Sequence, residues 1–283
     1  MADFKIGSEE HKRAMCKMFM DTFTPYDPSK LEWPELDEAV VSRLRALPVW
    51  DEAVRTEAET AMKVTELGRV ETDPLMKESI SLQGYEEGRH AQILDIMTKR
   101  YGLPVESKPN LTPPPDPDWA FMRVGYGECF DSFFAFGLFA VARDSGFFPP
   151  SLVTLFEPVM QEEGRHILFH VNWVAYKHAN KALSQRPSYL FRRGLAISLQ
   201  VVSRIQTALS IGAGHREQDN FTMNAHESFG DFSLRQFLEI CVRENDKRLA
   251  PYDPRLLRPQ LVPSLARAML AITPKGSKTP ATA

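Results

Sequence analysis

Apolar residues return every three or four positions along most of this chain, the spacing of packed helices, and no run shows the period-two alternation of a strand. The pattern predicts short helices over about residues 8–23 and 34–46, then four long ones over 51–70, 74–102, 119–143 and 151–181. Two more are expected near 189–211 and 232–249. Punctuation sets the boundaries. Asp51 is expected to cap the first long helix, and Asp73-Pro74 supplies a cap and a first helical residue for the second. Prolines at 104, 109, 113, 114, 115 and 117 mark 103–118 as an extended crossover. Asp144-Ser-Gly-Phe-Phe-Pro-Pro turns the chain, and Pro158 is expected to kink the fourth long helix. Residues 212–226 have loop composition and are a candidate lid, and 274–283 form a disordered tail.

Two of the long helices carry the same pentapeptide, Glu-Glu-Gly-Arg-His, at 86–90 and at 162–166. Each copy contains a Glu-x-x-His: Glu87 with His90, and Glu163 with His166. Side chains three apart on a helix share a face about 5–6 Å from one another, so a carboxylate and an imidazole so placed can hold one metal ion together. Both copies fall on apolar stripes, the first with Ile80, Gly84, Ala91 and Leu94, the second with Val159, Phe169, His170 and Trp173. A carboxylate facing a core needs a partner, and a metal ion serves several at once. The bland alternative is a solvated helix face of ordinary ion pairs.

Distance from the turns selects two further carboxylates. Glu87 lies 15 residues past Thr72 and Glu57 lies 15 before it, so in an antiparallel hairpin both sit at one height. Glu163 pairs in the same way with Glu128 about a midpoint at Ser145–Gly146. Glu128 is the one Glu of its helix. Glu57 is preferred to Glu59 because Glu57 shares a stripe with Val54, Ala61 and Val64, whereas Glu59 lies with Arg55, Glu66 and Arg69. The candidate ligands are then Glu57, Glu87, His90, Glu128, Glu163 and His166, an oxygen-and-imidazole set that suits iron or manganese.

Supporting candidates flank them. Glu86 with Arg89 and Glu162 with Arg165 are three apart and can pair, or either acid can accept the free ring N–H of a ligand histidine and orient it. Asp131 is a candidate second acceptor or extra ligand. His170, one turn past His166, is either a third imidazole near the metal or a hydrogen-bonded core histidine.

Composition narrows the class. The chain has 283 residues, 43% hydrophobic and 25% charged, with a net charge of -3, as in a soluble globular protein. No long basic run suggests nucleic acid. No signal core opens the chain, and the most apolar stretch, 130–142, is too short to span a bilayer, so no membrane association is expected. Cys16, Cys129 and Cys241 form no CxxC pair, and a reducing cytoplasm is the expected location.

The doubled motif resembles the (Asp/Glu)-Glu-x-Arg-His motif of bacterial multicomponent monooxygenase hydroxylases. It also resembles the Glu-x-x-His pairs of the wider ferritin-like superfamily, which includes ribonucleotide reductase small subunits, acyl-carrier-protein desaturases, rubrerythrins and tRNA hydroxylases. The resemblance covers residues 51–180 and lies in the motifs. It implies an all-α, ferritin-like four-helix bundle over 51–182, with an N-terminal helical extension over 1–50 and C-terminal helices over 183–273. It also implies two iron ions (or manganese), with dioxygen as co-substrate, held by the six candidate ligands. The chain departs from rubrerythrin in lacking CxxC pairs, from typical hydroxylases in being shorter, and from typical ferritins in its second Glu-x-x-His.

The expected function is therefore an oxygen-activating oxidoreductase acting on a small, partly apolar organic molecule. Phe130, Phe133, Phe134, Phe136 and Phe139 are expected to form an aromatic wall near Glu128, most of them as core, with Ser132, Ala135 and Phe136 lining the substrate pocket. The C-terminal helices can cover the bundle, form a homodimer contact, or dock an external electron donor such as a ferredoxin or flavin reductase. Two other classes stay open: iron, peroxide or catalase-like chemistry at the same site, and a non-catalytic helical scaffold.

Overall fold

The computed structural model of the protein describes residues 4–47, 49–106, 108–212 and 233–272, and every regular element among them is a helix. The first, α1 (Glu9–Asp21), is capped by Ser8, whose hydroxyl accepts from the His11 N–H. Next, α2 (Glu38–Ala46) starts later than the pattern suggests. The Trp33 and Pro34 carbonyls accept from Arg100 and Tyr101, so this stretch is held by tertiary hydrogen bonds instead of helical ones.

A hairpin follows: α3 (Trp50–Val70) and α4 (Pro74–Tyr101) are joined by three residues. Asp73 caps α4 by accepting from the N–H groups of Leu75 and Met76, and Gly102 closes it with φ +59°, a left-handed conformation that glycine adopts without strain. Asp51 is not the cap of α3. It lies in the first turn, and its carboxylate accepts from the Glu106 N–H at 2.7 Å, tying the crossover to the bundle.

Beyond the extended crossover comes α5 (Pro117–Asp144), capped by Asp116. The expected fourth long helix is divided. A short α6 (Pro150–Val153) and a tight turn precede α7 (Glu157–Ala179). Pro158 sits in the first turn of α7, where its missing N–H has no intrahelical partner to lose. It starts a helix and does not bend one.

The chain continues through α8 (Arg186–Gly212), α9 (Leu234–Leu249) and a helix the pattern did not flag, α10 (Leu261–Ile272), whose first turn contains Pro263. The expected lid at 212–226 and tail at 274–283 lie, apart from Gly212, outside the described residues.

Packing joins the four long helices into a ring: α3 lies on α4 and α5, and α7 lies on α5 and α4. The rest surround it, with α1 across α4 and α7, α8 along α5, α9 on α5 and α7, and α10 on α9 and α5. As a helix, α5 is long and apolar enough to cross a membrane, contrary to the estimate from 130–142 alone, yet 67% of its apolar window is buried inside the fold. It is a core helix. Its Gly125 lets α7 approach closely: a Cβ there would stand 1.9 Å from Nδ1 of His170.

Candidate metal centre

Glu87, His90, Glu163 and His166 bring one ligand atom each to within 4.8 Å of one another. They come from α4 and α7, and the contacts across the helices are shorter than those within them. His166 Nδ1 stands 2.9 Å from Glu87 and 3.9 Å from Glu163, while His90 Nδ1 stands 3.2 Å from Glu163 and 3.8 Å from Glu87. Each carboxylate thus faces the imidazole of the other helix. Ser132 donates to Glu163 at 3.1 Å and Gln83 to Glu87 at 3.3 Å. Gln83 was not singled out from the sequence, although its place one turn before Glu87 puts it on the same stripe.

The other two carboxylates stand at the margin of this cluster. Glu57 Oε2 is 3.5 Å from His90 Nδ1, whereas Glu59 pairs with Lys63 and Arg55 and accepts from the Asn110 N–H. Burial pushes the Glu57 carboxyl up to about 7 against the pull of His90. Both oxygens of Glu128 are buried without a hydrogen-bond partner among the described residues. Burial, then the neighbouring charges of Glu87 and Glu163, hold its carboxyl well above the ordinary range.

Burial opposes charge on the two histidines as well, yet surrounding carboxylates outweigh it. Glu162, Glu163 and Glu57 hold His90 well above the usual imidazole value, and Glu87 and Glu86 do so for His166. Without another cation, the site balances its carboxylates by protonating its imidazoles.

The residues before each ligand exchange partners between helices. Nε2 of His90 donates to Glu162 at 2.9 Å, and Nε2 of His166 donates to Glu86 at 2.9 Å. Arg89 donates to Glu162 at 2.5 Å, and Arg165 donates to Glu86. The expected pairs within a helix are longer, 3.7 Å for Glu86 with Arg89 and 3.9 Å for Glu162 with Arg165. The outer elements complete the brace. Arg165 donates to the Phe19 carbonyl of α1, and Arg89 stacks over Tyr26, whose hydroxyl donates to Glu162 at 3.3 Å.

With Nε2 of each histidine bound outward, each Nδ1 is turned toward the carboxylates, ion-paired with them when the ring is protonated and open to a metal ion when it is not. Four carboxylates, among them Glu128 with both oxygens unpartnered, and two inward imidazole nitrogens form a donor set that a pair of divalent ions would satisfy. The donor set therefore fits the metals expected for it.

Two supporting candidates stand outside the cluster. Asp131 is an ion-pair partner of Arg204 on α8 and lines the cavity beside the cluster. His170 is fully buried among Phe121, Tyr126 and Trp173, and neither ring nitrogen has a hydrogen-bond partner among the described residues. Burial pushes its pKa down to about 3, so it stays neutral. It is a packed ring, not a hydrogen-bonded core histidine or a third ligand.

A cavity of about 820 Å³ opens beside the cluster and is lined by Glu57, Glu87, His90, Glu128 and Glu163. Ser132 and Ala135 line it as expected, but Phe136 does not: it is fully buried, with Arg248 over its ring at 5.3 Å. Of the five phenylalanines, Phe139 lines the cavity, and Phe130, Phe133 and Phe136 are buried in the core, as expected for most of the five. Leu44 and Leu47 of the N-terminal region line it too, which no local signal announced.

Comparison with known proteins adds no relative: no family model, curated protein or solved structure matches the chain.

Proposed function

We propose that this protein is a ferritin-like di-iron oxidoreductase that uses dioxygen to oxidise a small, partly apolar organic substrate. The observation that carries the proposal is the conjunction of two outward-braced histidines, each with Nδ1 aimed at paired carboxylates, with a cavity large enough for an organic molecule. Glu57, Glu87, His90, Glu128, Glu163 and His166 would hold the ions. When bound, iron supplies the redox chemistry, and the protein supplies ligands, position and a dry environment.

The chain's own residues have definable tasks in this reading. Glu86 and Glu162 accept hydrogen bonds from the outward ring N–H groups of His166 and His90, fixing the tautomer and raising the basicity of each inward nitrogen. Ser132 fixes the Glu163 carboxylate by donating to it. Buried Leu138, Leu152 and Met97 keep one side of the chamber apolar, so water is disfavoured near the reacting group.

Chemistry confined to iron or peroxide needs no chamber of about 820 Å³, so the cavity favours an organic substrate over those alternatives. The test is a single turnover: Fe(II)-loaded protein, a panel of apolar organic acids, alcohols and amines, and isotopically labelled dioxygen. Label in a product, or stoichiometric substrate oxidation lost in His166→Ala, is the expected result. Oxygen uptake that leaves every panel member unchanged and is unaffected by His166→Ala would contradict the proposal.

A further inference from the structure

The cavity has two unlike ends, with the carboxylate cluster between them. Toward one end it reaches Trp50 on α3, Met97 on α4, Ala142 on α5 and Phe156 just before α7, about 10–20 Å along the bundle from the carboxylates at 1.5 Å per residue. Leu47, Met97, Leu138, Leu152 and Val153 at that end are all buried, so most of its wall is apolar, with the Glu52–Arg55 ion pair along one side. Toward the other end it reaches Lys63, Pro115, Arg123 and Gln200, and there Pro115 and Arg123 are exposed. That end is polar and open.

Charge along the cavity wall is matched with one exception. Arg55 pairs with Glu52 and Glu59, Lys63 with Glu59, and Arg204 with Asp131, while Asp116 is taken by Arg192. Among the described residues, Arg123 is the one cation lining the cavity whose side chain has no carboxylate partner. Its backbone is held in place, since its carbonyl accepts from Gln200 Nε2 at 2.9 Å. An amine head group would find every acid at this mouth already paired. An anionic one would find a free guanidinium able to bind it through two parallel hydrogen bonds.

We propose that the substrate is an amphipathic monoanion, an apolar chain or ring system ending in a carboxylate. It lies lengthwise in the cavity, with its carboxylate on Arg123 and its apolar end in the mostly apolar limb beneath α2. Glu128 lies one and a half turns beyond Arg123, about 7.5 Å along α5, so the ligand passes the cluster part-way along its length. What happens to the ligand there rests on the oxidoreductase proposal. The binding claim does not.

The test is calorimetric titration of the full-length protein, iron-loaded and chelated, with decanoate, decanol and decylamine, and with hexanoate and octanoate as shorter acids. Decanoate is expected to bind at least about tenfold more tightly than the alcohol or the amine, with or without iron. Affinity should climb from hexanoate to decanoate as the apolar limb fills. Arg123→Gln should abolish the preference for the acid, and Arg123→Lys should retain most of it. Equal affinities for the three head groups, a preference unmoved in Arg123→Gln, no gain with chain length, or decanoate binding that requires iron would each overturn the inference. Two irons per chain without a carboxylate preference would sink this inference and leave the di-iron proposal standing. A carboxylate preference in a chain that takes up no iron would do the reverse.

Discussion

Glu86 on α4 accepts a hydrogen bond from the ring N–H of His166 on α7 at 2.9 Å, and Glu162 on α7 accepts one from that of His90 on α4 at 2.9 Å. The two copies of the repeat therefore support each other, not themselves. Each copy supplies one inward carboxylate, one inward imidazole and the acid that orients the other copy's imidazole.

The exchange predicts an asymmetry between removing an acid and removing the pair. Glu86→Gln should weaken metal affinity by roughly 10–100-fold, the usual effect of losing a carboxylate behind a ligand histidine. It should also destabilise the fold by about 3–5 kcal/mol, because Arg165 is left charged and 1% exposed. Adding Arg165→Met should restore much of the stability without restoring affinity. Denaturant melts and metal titrations on the single and double variants separate the two effects, and a double variant that regains affinity would count against the orienting role.

Metal removal should be costly to the fold. Chelation leaves four carboxyl groups close together, with Glu57 and Glu128 pushed up by burial and the protonated histidines as counter-charge to the others. Ligand at about a thousand times its dissociation constant stabilises a folded protein by about 4 kcal/mol. In a chain of this size that corresponds to a fall in Tm of roughly 10 °C on chelation. Calorimetry of loaded and chelated protein checks this, and identical melting curves would show that no metal is held by the folded state.

His170 should set part of the acid limb of stability. Its pKa falls from 6.5 in the unfolded chain to about 3 in the fold, because burial disfavours the imidazolium. Below about pH 6.5 the unfolded state takes up a proton that the folded state refuses, so this contribution is intact above that pH and is lost as pH falls toward 3. Between pH 7.5 and 5 the loss is about 2 kcal/mol. His170→Leu should shrink the stability difference between these two pH values by that amount, whatever its effect at pH 7.5. An unchanged difference would mean that His170 finds a proton-accepting partner.

Ala135 and Phe136 are adjacent in sequence but face different surroundings. Ala135→Phe places a ring in the cavity, so turnover should drop by an order of magnitude or more with the iron content unchanged. Phe136→Ala should instead destabilise the fold by about 3–5 kcal/mol, as expected for emptying a packed core site. Iron counting and thermal melts on the two variants check the contrast.

Much of this arrangement is legible in the sequence because its signals are local. Asp73-Pro74 and Gly102 bound α4, and equal chain distance from the turns points to Glu57 and Glu128. Features that depend on which helices become neighbours are not legible. Glu86 meets Arg165 in place of Arg89 because α4 and α7 become neighbours in the ring. Asp131 is taken by Arg204, a residue 73 positions away on a helix whose placement no pattern specifies. His170 loses its hydrogen bonds because Phe121 and Tyr126 arrive from α5 with rings where a polar partner would sit. Pro158 misleads for a different reason: periodicity continues across it, and only the local chain path tells a kink from a start.

The most direct measurement is an anaerobic Fe(II) titration of the purified chain, with metal counted per chain and oxygen then added under stopped-flow absorbance. Two irons per chain are expected, with a transient absorption band after oxygen that is lost in both Glu128→Ala and His166→Ala. No bound iron, or a single ion retained in both variants, would contradict a di-iron centre in this bundle.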